Sequence, residues 1–249
     1  MMWSDVHART RCRPRRRLRA LVAAIPVVLC AGATASRAGM PSLVFERDTT
    51  LNASLAILED GVCTVKPGVK IEFVGYQRVL VRGVFIAEGT REKPIEFTCA
   101  NRARGSTDKA CWQGFEIVGS KANAIFRHCR FEGAYRNLVW KAKPIFDSCE
   151  FVGNHYALYC TNKSQAHITD CSIYRNRYGI VADFASPFVL DNTITENIVG
   201  VCLQLSSRLV AGRNIISGNK TNIRSEESFG DNEDALSAKY LWDLMRQLY

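Results

Sequence analysis

The apolar residues of this chain fall in short alternating runs, and the runs repeat. One phrase returns five times between about Ala124 and Asn222. It reads Ile125-Phe126-Arg127-His128-Cys129-Arg130-Phe131, then Ile145-Phe146-Asp147-Ser148-Cys149-Glu150-Phe151 and His167-Ile168-Thr169-Asp170-Cys171-Ser172-Ile173. It closes with Phe188-Val189-Leu190-Asp191-Asn192-Thr193-Ile194 and Val210-Ala211-Gly212-Arg213-Asn214-Ile215-Ile216. The anchors Cys129, Cys149, Cys171, Asn192 and Asn214 stand 20, 22, 21 and 22 residues apart. A period in the twenties is the signature of a stacked solenoid.

The rest of each repeat decides which solenoid. A leucine-rich frame fits parts of it, as at Val189, Asn192, Ile194 and Asn197. Its second Leu position, however, is Cys or Asn throughout. After the anchor phrase come Asn137-Leu138-Val139-Trp140, Ala157-Leu158-Tyr159-Cys160, Gly179-Ile180-Val181-Ala182 and Gly200-Val201-Cys202-Leu203. These are β-type runs closed by polar turns such as Thr161-Asn162-Lys163-Ser164, not helices. The pattern therefore predicts an all-β parallel β-helix of about seven coils. Each strand pairs with its equivalent one coil away, about 4.8 Å along the axis. Period-two alternation would stack Leu138, Leu158, Ile180, Val201 and Ile223 in the bore, with Phe131, Phe151, Ile173, Ile194 and Ile216 as a second stack.

The phrases Asp170-Cys171-x-Ile173-x-x-Asn176-x-x-Gly179-Ile180 and Asp191-Asn192-x-Ile194-x-x-Asn197-x-x-Gly200-Val201 resemble the right-handed parallel β-helix repeat of the pectin-lyase-like superfamily. Leu80 to Thr90 with Pro94 to Thr98 looks like the opening coils of secreted members. The likeness covers about Cys63 to Asn222 and implies a right-handed coil. That superfamily holds pectate lyases, polygalacturonases and periplasmic copper-binding proteins, so it implies no single activity.

The first 38 residues read as a cleavable export signal. Arg9 to Arg19 are cationic, Ala20 to Ala33 are apolar but too short to span a bilayer, and Ser36-Arg37-Ala38 ends in the small-x-small manner. The leader holds 8 of the 33 basic residues and 1 of the 24 acidic ones. Its removal leaves 25 against 23, so the net charge falls from +9 to +2. That removes the main support for nucleic-acid binding, and no later apolar run is long enough for a transmembrane span. The expected location is secreted or periplasmic.

Residues 39–62 are expected to form an N-terminal cap, 63–225 the β-helix, and 226–249 an acidic linker with a capping helix. In that last stretch Leu236, Tyr240, Leu241, Leu244, Met245 and Leu248 share one helical face. An open solenoid end exposes strand edges, which makes a lid the plain role for such a helix. Ala100 to Ala110 interrupts the rhythm as an exposed loop. Cys99 and Cys111 flank it and form the best disulfide candidate in an exported chain.

Vertical columns carry the candidate chemistry. Cys129, Cys149 and Cys171 continue as Asn192 and Asn214, which reads as a structural stack; the copper-binding members suggest a soft-metal alternative, but Met and paired His ligands are lacking. Asn154, Asn176, Asn197 and Asn219 make a second ladder. The positions before the anchors are His128, Ser148, Asp170, Asp191 and Arg213. Asp170, Asp191 and Arg213 are the candidate catalytic set, since they resemble in kind the Ca²⁺-binding acids and Arg base of pectate lyases. Ca²⁺ enters only under that reading; no other cofactor or metal is expected. Tyr156 and Tyr178 share a column, with Tyr135 and Tyr159 close by, as an aromatic platform for sugar. The sequence favours a non-catalytic protein that binds an extended polysaccharide or an envelope protein. The rival is a lyase or hydrolase acting on an acidic glycan.

Overall fold

The computed structural model describes residues 42–100, 102 and 110–226. Within them the chain forms three parallel sheets of eight strands each, and every turn of the solenoid adds one strand to each sheet. One turn runs Ile145–Asp147, Glu150–Val152 and Tyr156–Thr161. The next runs His167–Thr169, Ser172–Tyr174 and Tyr178–Asp183. The order first sheet, second sheet, third sheet is kept from Ser42–Phe45 to Thr221–Glu226.

There are eight turns rather than about seven. Ser42–Phe45, Thr49–Leu51 and Leu55–Ile57 make one more turn ahead of Val62–Val65. Their pairing partners are Val62–Val65, Ile71–Phe73 and Val79–Val81. The expected capping helix lies outside the described residues, as do the expected export signal and most of the loop after Ala100.

Registry follows the anchor spacing. Phe131, Phe151, Ile173, Ile194 and Ile216 are successive partners in the second sheet. Leu158, Ile180, Val201 and Ile223 are successive partners in the third. Leu138 does not join them. A bulge between Arg136 and Leu138 pairs Leu138 with Tyr159 and Val139 with Cys160. One residue of slip reverses the face, so Val139 enters the bore and Leu138 turns outward.

The bore is filled differently along its length. Its earlier turns are aromatic: Phe73 stacks on Trp112 at 4.1 Å, Phe126 on Phe146 at 5.1 Å and Phe131 on Phe151 at 4.6 Å. Such pairs contribute about 0.5–1.5 kcal/mol each beyond their burial. The later turns are aliphatic, with Ile168, Ile173, Ile180, Ile194 and Val201 fully buried.

Two corners hold the turns together. At the corner between the first and second sheets, His128, Ser148, Asp170, Asp191 and Arg213 are all left-handed, with φ of 46, 53, 52, 58 and 52°. That reversal aims the next residue inward. Cys129, Cys149, Cys171, Asn192 and Asn214 are therefore buried. The thiols are free, and Cys149 and Cys171 donate to the Asp147 and Thr169 carbonyls at 3.3 and 3.2 Å. Burial holds both well above the ordinary thiol pKa. Asn192 takes over by donating to Asn214 Oδ1 at 2.9 Å.

At the corner between the second and third sheets, Asn154 donates to Asn176, Asn176 to Asn197 and Asn197 to Asn219, at 3.0, 3.0 and 2.9 Å. Each amide oxygen also accepts the backbone N–H one turn back. Each buried amide is thus satisfied along the axis. A disulfide joins Cys99 to Cys111, whose Cα atoms are 6.1 Å apart, at the foot of the long loop.

Candidate functional site

The outer face of the third sheet carries the aromatic platform. Tyr156 and Tyr178 are direct register partners, and their rings stack at 4.9 Å and 15°. Tyr159 meets Tyr156 edge-on at 5.5 Å. Tyr135 meets Tyr156 at 5.9 Å, and Tyr76 extends the row at 6.3 Å from Tyr135. His155 lies between them, 4.6 Å from Tyr156 and 5.0 Å from Tyr135. The four tyrosines expected from the sequence are therefore one contiguous surface.

Two local features aim the rings. The Asn154–Asn176 corner ends two residues before Tyr156 and Tyr178, so both rings leave the same ladder at the same height. Gly179 then fills the spot where a side chain would collide: a Cβ there would sit 2.3 Å from the Gly200 carbonyl. This close approach lets adjacent turns draw together under the tyrosine row.

Polar groups fix the ring edges. Tyr159 donates to Asp183 Oδ2 at 2.9 Å, and the Arg136 guanidinium lies over its ring at 5.5 Å. Burial, then the Asp183 carboxylate, raise the Tyr159 pKa. Burial and the neighbouring Tyr135 and Tyr178 raise that of Tyr156. His155 is shifted down from 6.5, first by burial and then by the charge of Arg177. The surface thus presents neutral rings rimmed by guanidinium groups, which suits a sugar ring bearing an acidic substituent.

The second candidate surface is the left-handed corner. It does align Asp170, Asp191 and Arg213 on successive turns, with the residues before them, Thr169, Leu190 and Gly212, in register. Arg213 closes a fork on Asp191: Nε donates to Oδ1 and Nη2 to Oδ2, both at 2.6 Å. The pair is solvent-facing, and Arg213 holds the Asp191 pKa below its ordinary value. Asp170 is exposed one turn earlier. Among the described residues, no cluster of three or more His, Cys, Asp or Glu could hold a metal ion.

A third constellation was missed in the sequence. Lys70, Glu96, Arg130 and Glu150 are consecutive partners on the outer face of the second sheet, alternating in sign. Arg130 is buried and ion-paired with both Glu132 and Glu150, and Tyr174 donates to Glu150. Burial works to lower the Arg130 pKa, but the bonds to Glu150 and Tyr174 outweigh it and raise it. The alternation was readable once the repeats were aligned; only the burial was not. Its closed pairing makes it a structural network.

A family model described as the right-handed β-helix region matches residues 82–221, more than half of the chain. The chain belongs to the right-handed β-helix family. No curated protein and no solved structure matches it. The β-helix assignment carries the fold and the handedness of the coil, and leaves the activity to be argued from the surfaces above.

Proposed function

We propose that this β-helix is an exported, non-catalytic protein that binds an extended polysaccharide along the outer face of its third sheet. The observation that carries the reading is the stacked Tyr156–Tyr178 pair inside a row that includes Tyr135, His155 and Tyr159. The rings lie along the solenoid axis, so a chain laid down that axis meets them in succession. Arg136 and Arg177 beside the row favour a glycan with carboxylate or sulfate groups. Export rests on the cationic and apolar character of residues 9–33.

The test is a panel of neutral and acidic polysaccharides, with affinity measured by calorimetry and turnover followed by ultraviolet absorbance and reducing ends, with and without Ca²⁺. Binding is expected for an acidic member of the panel. Tyr178→Ala should weaken it by about 1 kcal/mol, roughly fivefold, as loss of one stacked ring. Equal affinity of Tyr178→Ala and the parent would overturn the assignment of the platform. Turnover that disappears in Asp191→Ala would replace it with the lyase reading.

A further inference from the structure

The third corner, which carries each turn from the third sheet back to the first, is built unlike the other two. Its loops in the later turns are 141–144, 162–166, 184–187 and 205–209. Lys141, Asn162, Lys163, Phe184, Leu205 and Ser206 all hold left-handed backbone there, with φ between 44 and 61°. Gly or Asn meets that conformation at little cost, whereas a bulky residue in it is an outlier. Phe184 and Leu205 are nevertheless 45 and 51 % exposed, on adjacent turns. Neither the backbone nor the core asks for an apolar side chain at these two positions.

Cations surround the two apolar tips. Lys141, Lys143, Lys163 and Arg208 are exposed on these loops, and Lys163 lies over the Phe184 ring at 5.5 Å. Among the described residues none of the four is ion-paired. Asp183, the carboxylate next to Phe184, is bonded to Tyr159 and Thr161. The earlier end of the same corner is balanced instead: Glu59 and Asp60 stand with Arg82 and Lys121, and Lys121 pairs with Glu59 at 2.8 Å. From Lys141 to Leu205 the cationic ridge is three strand spacings, about 14 Å long.

We propose that this later corner is a membrane-docking ridge: Phe184 and Leu205 insert below the headgroups of a phospholipid surface while Lys141, Lys143, Lys163 and Arg208 meet its anionic charge. Two features select a lipid surface over a folded protein. The cations are long, flexible and unmatched, which fits headgroup charges that can move to meet them. The apolar tips stand on an outer corner, where a yielding plane can take them up, and apolar insertion and electrostatic attraction then add. This inference does not rest on the glycan reading. Tyr156 and Tyr178 open the third-sheet strands, whereas the ridge follows their far ends, Thr161 and Asp183.

The purified chain is sedimented with phosphatidylcholine vesicles and with vesicles that also contain phosphatidylglycerol. It should partition onto the second kind alone, and added salt should release it. Phe184→Asn/Leu205→Asn should bind about tenfold more weakly or worse, with melting unchanged or raised, because Asn accepts the left-handed turn. Lys163→Gln/Arg208→Gln should lose about tenfold as well. Tyr178→Ala should bind vesicles as the parent does, which separates this surface from the glycan platform. Hydrogen exchange on the vesicle-bound protein should slow in 184–187 and 205–209. Full binding by the Asn double variant would overturn the proposal. So would equal partition onto both kinds of vesicle, or protection confined to residues 1–41 or 227–249, which would give the contact to those segments. A parent chain that stays in solution with both vesicles would also overturn it and leave the ridge to a protein partner.

Discussion

The tyrosine row of the third sheet and the Asp170–Asp191–Arg213 corner are both vertical columns, yet they owe their composition to different causes. Every residue of the corner column has a positive φ. Asp and short polar residues tolerate that conformation better than most, and the position is solvent-facing. The fold itself therefore explains a polar column there, and the Arg213–Asp191 fork satisfies its charges. The tyrosine row has no such explanation. An outer sheet face asks for nothing aromatic, and these rings are partly exposed, with Tyr159 held by Asp183 and Arg136. A column that the backbone does not demand is the better candidate for function.

The comparison can be sharpened by substitutions on either side. The largest effect is expected at the ladder beneath the tyrosines. Asn176 is buried, receives Asn154 and donates to the Phe151 carbonyl at 3.0 Å. Asn176→Leu leaves those groups unpaired, so denaturant unfolding should show a loss of about 1–3 kcal/mol. Glycan affinity should fall with it, since Tyr178 leaves the same corner. An unchanged midpoint would remove the ladder from the account.

At the acidic corner, Asp170→Val should cost about 1–2 kcal/mol, because a β-branched residue is strained at φ 52°, while Asp170→Gly should be tolerated. Neither should alter binding. Were Asp170→Gly to abolish binding with melting intact, the corner would be functional after all.

The smallest expected effect is on pH dependence. The His155 pKa is lowered in the folded protein, so the unfolded chain takes up the proton first. Its contribution is absent above about pH 6.5 and destabilises the fold as pH falls through that value. His155→Gln should flatten that part of the stability–pH curve; an unchanged slope would show that the environment of His155 is ordinary.

The sequence made the later turns legible because their spacing is nearly constant and their corners are marked by Cys, Asn and left-handed Asp. Residues 42–57 were harder. Their strands of three or four residues carry no anchor, so they read as a cap although they pair as a full turn. Leu138 was misplaced because alternation assumes an unbroken strand, and a bulge is invisible to a period-two pattern. The Arg130–Glu132–Glu150 network was hidden for another reason. Charged residues at outward positions read as solvent-facing, and what covers them belongs to tertiary structure. The nearness of Tyr156 and Tyr178 was legible because they lie one repeat apart. Arg136 and Asp183 were missed as the rim of the platform because their contacts to Tyr159 cross turns.

The most direct measurement is hydrogen exchange, read by mass spectrometry, on the protein with and without its tightest-binding acidic polysaccharide. Ligand should slow exchange in 135–140, 156–161 and 178–183 and leave 170–172, 191–193 and 213–215 unchanged. Protection confined to the latter three segments would place the ligand on the acidic corner and contradict the account.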